Sequence, residues 1–551
     1  MEDTTTPSSS SPHPPPHDHD HDHDQTSYPP NKTHPLPRPP HAIIRLIQCS
    51  RCSLPLRSPL RLPCGNTVCR SCLPPVRPRS GITYPVNEDR KLGFKCYWKD
   101  TEECAGEHCI GDCGADVLLG RLGDVFGGVL GGQYSGVEAD VTADGNGNGD
   151  VSVSVRWKGS GLQHESAEIG SDRLKGIYGL VTRGGFDYDA SEVEYTCLSE
   201  GLERLETQEG QTFGRLKEAV RSELDCQVCY SLILDPLTTG CGHTFCRGCV
   251  AMVMDHSDLC PVCRRKLDMS ATVRFEPINR RILELVGAFF PEQVVARREG
   301  SATATATAKE GQRKIPLFVS ALSFPTMPTF LHVFEPRYRI MIQKVMRSRD
   351  KKFGMVMHNR AMKIQPGLGR SQFMQYGTVL LIERYELLPD GRSLVIASGV
   401  SRFKVLGFEL VDGYHLGTVQ RVDDIPIAEE ERQESVETSA SAGTDPASLP
   451  LESMPTQQLF QMALDFVDKN RLEGASWLQT RVRLAYGEAP SDPALFPWWF
   501  ATVLPQWEDE KYLLLSTTSV RERLKIVAQW VKKSESQEWL ARARASSTPV
   551  L

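Results

Sequence analysis

The chain has 551 residues, of which 24% are charged and 40% hydrophobic, and it carries 63 Lys and Arg against 69 Asp and Glu. At about 150 residues per domain, this length predicts three to four folded units. The net charge of −6 disfavours a general polyanion binder, and no uncharged window is apolar enough to predict a membrane-spanning helix. The N-terminus has no secretory signal, so we expect an intracellular protein, either cytoplasmic or nuclear.

Residues 1–41 are of low complexity and rich in His, Pro and Asp. Such a segment cannot bury enough apolar surface to offset the entropy of ordering it, so a disordered tail is predicted. From His17 to Asp24 the sequence alternates His and Asp. This run could bind a transition metal, although a solvated polar tail is the simpler interpretation.

Seventeen cysteines are the most informative feature of the composition. Many of them form Cys-x2-Cys pairs, and in an intracellular chain this pattern predicts zinc binding rather than disulfides. The cysteines fall mainly into two blocks, at 49–113 and 226–263.

Between the two blocks the pattern changes twice. Residues 117–130 have apolar side chains at helical spacing, with four glycines that weaken the helix. Residues 131–195 are rich in Gly, Asp and Ser and are predicted to be a linker. Within them, 144–150 resembles a calcium loop but lacks the terminal Glu and the flanking helices of an EF-hand. A helix is predicted over 200–224.

The second block, within residues 225–268, has the ligand order of a RING finger: three Cys, one His and four Cys. Eight ligands make two tetrahedral zinc sites. The RING resemblance implies that the sites interleave, so that alternate pairs share an ion. One site then takes Cys226, Cys229, Cys246 and Cys249, and the other takes Cys241, His243, Cys260 and Cys263.

Protein side chains fill every position on each zinc, so the metal is predicted to be structural and there is no covalent catalytic residue. RING fingers bind a ubiquitin-conjugating enzyme, and the resemblance implies a contact surface on the two zinc loops and a helix over 250–255. The simpler interpretation of the apolar loop residues is that they only cover the ions. A basic residue after the last ligand bridges the conjugating enzyme and ubiquitin in active RING ligases; here that residue is Arg264, which could otherwise be an exposed charge. The predicted contacts are Val228, Leu259, Pro261, Val262 and Arg264.

The first block, within a predicted unit at 45–130, repeats the second at a constant offset of 177 residues. Asn66 stands where His243 does, and an amide is a poor zinc ligand. We therefore predict a degenerate RING-like finger that is structural or protein-binding. Its first site is predicted from Cys49, Cys52, Cys69 and Cys72. Its second site has Cys64, and the spacing leaves open which of five candidates complete it: Cys96, Cys104, His108, Cys109 and Cys113.

A short linker is predicted at 297–313, followed by a larger domain at 314–535 with a disordered acidic insertion at 424–455. Several segments, most specifically Phe334-Glu-Pro-Arg-Tyr-Arg, resemble the N-terminal substrate-binding domain of Lon proteases. The resemblance implies a β-rich half followed by a helical half. The chain contains no Gly-Lys dipeptide, so no phosphate-binding loop is predicted, and we expect neither ATPase nor protease activity.

Two zinc modules followed by this domain resemble the family of Lon peptidase N-terminal domain and RING finger proteins, in its fungal form. The predicted fold class is a multidomain α+β protein, with two small zinc-bound RING-type modules, a Lon N-terminal-type domain, and a disordered tail and linkers. The predicted function is a RING-type ubiquitin ligase, with zinc as cofactor. Its predicted partners are a ubiquitin-conjugating enzyme, ubiquitin and protein substrates, and a homodimer is left open.

The alternative is a non-enzymatic zinc scaffold or a transcriptional regulator that works through protein contacts. An intact conjugating-enzyme surface with Arg264 favours the ligase. Direct DNA binding is disfavoured, because residues 222–268 carry four basic and six acidic residues.

Overall fold

The structure, a computed structural model, describes residues 36–85, 88–98, 104, 106–131, 153–159, 163–197, 202–254, 257–267, 269, 273, 276–305, 312–439 and 449–546. The His–Asp run at 17–24 and the calcium-like run at 144–150 lie outside these residues. Among the helices described, none combines the length and the apolar character that crossing a membrane requires.

The first finger consists of short strands around Cys-rich loops, with a helix on either side. The elements are α1 Pro40–Arg45, β1 Pro59–Arg61, β2 Thr67–Cys69, β3 Arg77–Pro78, β4 Leu92–Lys95, β5 Glu107–Cys109, β6 Gly114–Ala115 and α2 Val117–Leu130. β2, β1 and β6 form one small sheet, and β3, β4 and β5 form another. The predicted tail over 1–41 is too long, because Leu36 is buried and α1 begins at Pro40.

Residues 153–197 form a folded subdomain, so the linker predicted over 131–195 is wrong for this part. The elements are β7 Val153–Lys158, β8 His164–Ile169, α3 Arg173–Thr182 and β9 Ser191–Cys197, with β7 central in the sheet. Val153, Val155 and Trp157 are at most 2% exposed, while the residues between them are more accessible. This period-2 burial is that of a strand with one buried face.

The second finger is preceded by one long helix and followed by two more. Its elements are α4 Leu202–Glu223, β10 Pro236–Thr238, β11 Thr244–Cys246, α5 Arg247–Met254, α6 Arg280–Phe289 and α7 Pro291–Thr305. α5 begins three residues before the helix predicted at 250–255. The linker predicted over 297–313 is wrong at both ends, because α7 continues to Thr305 and the next strand begins at Gln312.

Both fingers share one hydrophobic core, which extends from Leu36 to Phe290. At its centre, Phe289 of α6 stacks on Phe213 of α4, with ring centroids 5.4 Å apart, and meets Phe126 of α2 edge-on at 6.1 Å. A finger of about 40 residues buries little apolar surface by itself. The helices therefore supply the core that each finger lacks.

The C-terminal domain begins with a β-rich half. Its elements are β12 Gln312–Ser320, β13 Pro328–Val333, α8 Pro336–Arg347, β14 Lys352–His358, β15 Ile364–Gln365, β16 Gly369–Arg370, β17 Phe373–Leu387, β18 Ser393–Val411 and β19 Tyr414–Val422. Strands β17, β18, β19, β12 and β14 pair in a closed ring, and β13 pairs with β18 outside it. Leu317, Phe373 and Phe403 are buried in one cluster within this half.

The helical half follows, as the resemblance implies. Its elements are α9 Ile427–Ser439, α10 Thr456–Leu472, α11 Thr480–Tyr486, α12 Phe496–Val503, α13 Glu508–Ser516 and α14 Val520–Ser546. Aromatic side chains of α10 and α12 form the centre of its core, where Phe460 meets Phe496 edge-on at 5.2 Å.

Helix α9 shows that the disordered insertion predicted over 424–455 is wrong for residues 424–439, while residues 440–448 lie outside the described part of the chain. Its Glu430 accepts a hydrogen bond from Ser519 Oγ at 2.9 Å and another from the backbone N–H of Val520, at the start of α14. Its Glu434 accepts from the backbone N–H of Thr456 at 2.7 Å, at the start of α10. Carboxylates are stabilising at helix N-termini, where backbone donors lack partners. The acidic residues that look like a solvated insertion are therefore structural.

The third glutamate of α9 joins the C-terminal domain to the first finger. Glu431 is fully buried and accepts from Arg79 Nη1 at 2.7 Å and from Arg90 Nη2 at 3.0 Å. Tyr84, which lies between β3 and β4, packs its ring into the core of the helical half. The residues around β3 and β4 therefore anchor the first finger on the C-terminal domain.

Replacing Glu431 by Ala is expected to lower the free energy of unfolding by about 3 kcal/mol, because it removes a buried carboxylate that two guanidinium groups share. Arg90 retains Asp112, 2.8 Å from its Nη2, and Arg79 retains a longer pair with Glu107, at 3.8 Å. Urea unfolding of the full chain measures this loss. Glu429→Ala is the matched control on the same helix, since Glu429 forms an accessible pair with Arg432 at 2.6 Å. The control should cost at most about 1 kcal/mol. Equal losses for the two variants would contradict the anchoring role of Glu431.

Candidate functional site

Two tight turns hold two of the three Cys-x2-Cys pairs of the second finger. The backbone N–H of Tyr230 donates to the carbonyl of Cys226 at 2.8 Å, and that of Arg264 donates to Cys260 at 2.9 Å. Tyr230 and Arg264 have φ angles of 52° and 58°, in the left-handed region. Each turn brings two sulfurs of one Cys-x2-Cys pair towards a common point.

The eight predicted ligands of this finger gather into two groups. Within each group, the four ligand atoms lie within 4.8 Å of one another. The grouping interleaves along the chain, as the RING resemblance implies. One group is Cys226, Cys229, Cys246 and Cys249, and the other is Cys241, His243, Cys260 and Cys263.

The spacing of the donor atoms fits zinc. With Zn–S bonds of about 2.3 Å, tetrahedral geometry places two sulfurs about 3.8 Å apart. The Sγ atoms of Cys229 and Cys246 are 3.9 Å apart, and Nδ1 of His243 is 3.4 Å from Sγ of Cys241. These cysteines are free thiols, not disulfides. Four protein donors close each site, which is the arrangement of structural zinc.

The ionisation of the clustered thiols supports the same conclusion. The Cys246 and Cys249 thiols donate hydrogen bonds to Cys226 and lower its pKa. The pKa of Cys249 is raised in turn, chiefly because its proton is held between it and Cys226. Four thiolates cannot coexist there without a cation, and bound zinc supplies the compensating charge.

The first finger repeats this geometry at the same offset of 177 residues. β1 and β2 correspond to β10 and β11, and the left-handed residue Ser53 corresponds to Tyr230. The Sγ atoms of Cys52 and Cys69 are 3.9 Å apart, like those of their counterparts. Cys49, Cys52, Cys69 and Cys72 form one group of four ligand atoms.

The structure selects the ligands of the second site in this finger, which the spacing leaves open. Cys64 is grouped with Cys96, Cys104 and His108. Cys96 follows strand β4 and His108 lies in β5, so the sheet of β3, β4 and β5 supplies ligands in place of the pair that Cys260 and Cys263 form in the second finger. Asn66 lies outside the group, and its amide donates to Cys64 Sγ at 3.5 Å.

Two of the five candidates are not part of this cluster. The Cys109 thiol donates to the carbonyl of Asp89 at 3.3 Å. The Cys113 thiol donates to the carbonyl of Cys109 at 3.6 Å, so the prediction of Cys113 as a ligand is corrected. Cys109 is the last residue of β5, and Cys113 lies between β5 and β6.

An apolar groove lies on the outer face of the second finger. It is too narrow to hold a water molecule, and its lining includes two of the predicted contacts, Val228 and Pro261. The remaining lining residues are Phe245, Val250, Val253 and Leu267. Leu259 and Val262 are 43% and 46% exposed, so they are accessible to a partner.

Two exposed side chains lie within the surface that the resemblance implies but are not among the five predicted contacts. Tyr230 is 81% exposed on the first zinc loop, and Met252 is 60% exposed on α5. Their helical or loop position next to predicted contacts is the only sequence signal that could have indicated them. Arg264, on the second loop, is also exposed.

The first finger differs at the position that corresponds to Val228. That position is Arg51, whose guanidinium lies over the ring of Tyr97 at 3.9 Å from the centroid. A cation occupies the place of the apolar side chain, so the first finger does not repeat the apolar groove.

Comparison with known proteins agrees with both domains. The profile of the C3HC4-type zinc finger (RING finger) matches residues 225–263, and that of the ATP-dependent protease La (LON) substrate-binding domain matches residues 314–533. The chain is therefore a multidomain protein with a RING finger and a LON substrate-binding domain, as the sequence predicts.

Among curated proteins, the chain is similar to a LON peptidase N-terminal domain and RING finger protein of Schizosaccharomyces pombe. The two are 29% identical over 333 residues, which cover 59% of this chain and 65% of that protein. The predicted resemblance is thus confirmed over this span. The chain is also 30% identical over 90 residues to the E3 ubiquitin-protein ligase RNF168 of Bos taurus, which is 15% of this chain and 16% of that protein.

Among solved structures, the Lon N-terminal domain protein of Xanthomonas campestris is 20% identical and has a TM-score of 0.25. The match covers 40% of this chain and 98% of that one.

The four ligand groups among the described residues predict four zinc ions in the two fingers. His108→Ala should leave three, because His108 Nε2 belongs to the second site of the first finger. Metal analysis after dialysis against a weak chelator measures the stoichiometry. Asn66→Ala and Cys113→Ala are the controls and should retain four ions. Loss of an ion from either control at the level of His108→Ala would contradict the assignment.

Proposed function

We propose that the protein is a RING-type ubiquitin ligase. The second finger recruits a ubiquitin-conjugating enzyme, and the LON-type domain holds protein substrates. The observation that carries the proposal is the apolar groove at Val228 and Pro261, set between two closed zinc sites and next to the exposed Arg264. The proposed activity is ubiquitin transfer alone, without ATP hydrolysis or proteolysis.

Because both zinc sites of the finger are closed, the proposed catalysis does not take place on the metal. A zinc ion with four protein ligands has no open position for water, so it polarises no substrate. The finger acts instead by holding two proteins in a reactive orientation, which lowers the entropic part of the barrier. Ubiquitin passes from the thioester of the conjugating enzyme directly to an amine of the substrate, and the ligase forms no covalent intermediate.

The groove supplies the affinity for the conjugating enzyme in this proposal. Val228 and Pro261 line it from the two zinc loops, and Val250 and Val253 line it from α5. Leu259 and Val262 extend the apolar surface on the same side of the second loop. A few residues near the centre of an interface carry most of its binding energy, and Val228 and Pro261 are the proposed centre here.

Arg264 supplies orientation rather than affinity. Its backbone is fixed by the turn at Cys260–Cys263, so the side chain starts from a rigid point beside the groove. A guanidinium presents several donors in a planar fork, which suits simultaneous contact with the conjugating enzyme and ubiquitin. Arg264 is therefore a positioning residue for the ubiquitin thioester.

The LON-type domain offers an accessible apolar surface for substrates. Phe330 of β13 is 53% exposed, and Leu394 of the neighbouring β18 is 44% exposed. β13 pairs only with β18 among the strands described, so its other edge carries no strand partner there. This supports capture of extended apolar segments, such as those that unfolded substrates expose.

Arg264→Ala is expected to slow the discharge of ubiquitin from a loaded conjugating enzyme about ten- to hundredfold, the worth of a hydrogen bond to a charged group. Binding of the conjugating enzyme and zinc content should not change. Arg264→Lys should restore only part of the rate, because a point charge lacks the fork. Arg265→Ala is the matched control, since this exposed neighbour lies in the same basic run. Equal rates for Arg264→Ala and wild type would remove the assigned role.

The variant Val228→Arg introduces an arginine into the second finger, which is the residue found at the corresponding position of the first finger, Arg51. The charged side chain should prevent docking in the groove and weaken binding of the conjugating enzyme by at least about thirtyfold. Zinc content should stay at the wild-type level, because Val228 is not a ligand. Isothermal titration with the conjugating enzyme measures the affinity. The reciprocal variant, Arg51→Val, is the control, and it should leave the affinity unchanged. Tight binding by Val228→Arg would place the docking surface elsewhere.

A further inference from the structure

The helix that follows each finger begins against the other finger. The first backbone N–H of α2, at Val117, donates to the carbonyl of Gly242 in the second finger at 3.1 Å. The first backbone N–H of α6, at Arg280, donates to the carbonyl of Gly65 in the first finger at 3.2 Å. Gly65 and Gly242 occupy the same place in the repeat. Each contact therefore has an equivalent contact in which the two fingers exchange roles.

The N-cap residues of these two helices make equivalent contacts in the same reciprocal way. Asp116 accepts from the N–H of Leu119 at 3.0 Å, and Asn279 accepts from the N–H of Ile282 at 3.2 Å. Their own backbone N–H groups donate to a proline of the finger that each helix follows. These acceptors are the carbonyls of Pro59 at 2.9 Å and of Pro236 at 2.8 Å, which are again repeat mates.

The two N-caps also meet each other at the centre of the contact. Nδ2 of Asn279 donates to the free carboxylate oxygen of Asp116. Asp116 is 2% exposed and Asn279 is fully buried. A buried hydrogen bond to a carboxylate couples the two fingers directly.

The backbones approach closely at both glycines. A Cβ on Gly65 would lie 2.3 Å from the carbonyl oxygen of Ile278, and one on Gly242 would lie 2.6 Å from that of Ala115. Both glycines also have positive φ angles, of 83° and 91°. The sequence thus keeps a small residue at the two equivalent points where the fingers touch.

Reciprocal contacts between like surfaces are the signature of an isologous, two-fold pairing. We propose that the first finger is a built-in partner subunit for the second. It covers, within one chain, the face through which the second finger would otherwise pair with a second copy. The pair therefore works as a unit in each single chain, and the first finger is needed for transfer although it does not recruit the conjugating enzyme.

The division of labour follows from the differences between the fingers. Arg51 over Tyr97 replaces the apolar groove in the first finger, whereas the pairing residues are kept in both. What the first finger preserves is thus its contact with the second. The consequence for ubiquitin transfer rests on the proposed ligase function, but the pairing itself does not.

A swap of the two N-caps in the full chain tests the pairing. Asp116→Asn keeps the cap oxygen for Leu119 but turns an amide against the amide of Asn279. Asn279→Asp keeps the cap oxygen for Ile282 but turns a carboxylate against Asp116. Each single variant should lower the thermal midpoint by at least about 3 °C and slow ubiquitin discharge. The double variant again places a donor against an acceptor and should recover most of both losses. The remainder reflects Asn279 Nδ2, which in the wild type also donates to Thr238 Oγ1 at 2.8 Å.

Asp172→Asn is the matched control, because Asp172 caps α3 in the same core through the N–H of Lys175, away from the contact between fingers. It should leave discharge unchanged. Singles that behave like wild type, or a double variant no better than the worse single, would overturn the pairing. The thermal midpoints decide this even if no conjugating enzyme is stimulated, a result that would count only against the ligase function.

The dependence of discharge on ligase concentration tests the claim that one chain suffices. For wild type, the rate should be proportional to ligase concentration over several orders of magnitude. A rate that falls faster than proportionally on dilution would show that a second copy is required, and it would overturn the inference.

Discussion

Closure of a tetrahedral zinc site by ligands from two distant turns is the constraint on which the rest of the fingers depends. Among the residues described, no strand of either finger is longer than four residues, and such strands are not stable alone. In the second finger, one ion ties Cys226 and Cys229 to Cys246 and Cys249, and the other ties the loop at Cys241 to that at Cys260. Structural zinc in isolated finger peptides contributes about 10–16 kcal/mol, which is enough to hold these loops in place.

This constraint fixes the outer loops and leaves the inner faces free to pack. The loops carry the apolar groove on one side of the second finger. On the inner side, the helices α2, α4 and α6 bury Phe126, Phe213 and Phe289 in a core common to both fingers. Glu431 and Tyr84 then connect the first finger to the LON-type domain. The geometry links the proposed recruitment face, the paired finger and the proposed substrate domain in one continuous structure.

The sequence was informative where a local spacing determines the structure. The Cys and His separations of the second block and the constant offset of the first predicted the turns and the grouping of ligands, because a metal site specifies its own geometry. The profile matches confirm the RING finger and the LON-type domain. The second site of the first finger could not be assigned, since His108 and Cys96 are brought to Cys64 by the pairing of β4 with β5, and that pairing has no spacing signal.

The other predictions that the structure corrects have one physical cause: average composition does not show which side chains of a segment are buried. Residues 131–195 are polar on average, yet Val153, Val155 and Trp157 alternate on one face of β7, and this pattern was available in the sequence. Helix α9 could not have been found in that way. Its glutamates are ordered by partners far along the chain, such as Arg79, Arg90 and Ser519, so only the tertiary structure shows why an acidic, Ser-rich segment is buried.

The most direct test of the account is reconstitution of ubiquitin transfer with the full chain. The measurement is single-turnover discharge from a panel of ubiquitin-loaded conjugating enzymes, with zinc-loaded protein and with protein stripped of zinc. The account predicts that the zinc-loaded chain accelerates discharge by at least one conjugating enzyme and that removal of zinc abolishes the effect. If zinc-loaded protein with four bound ions accelerated none of them, the second finger would be a scaffold and the proposed ligase function would be wrong.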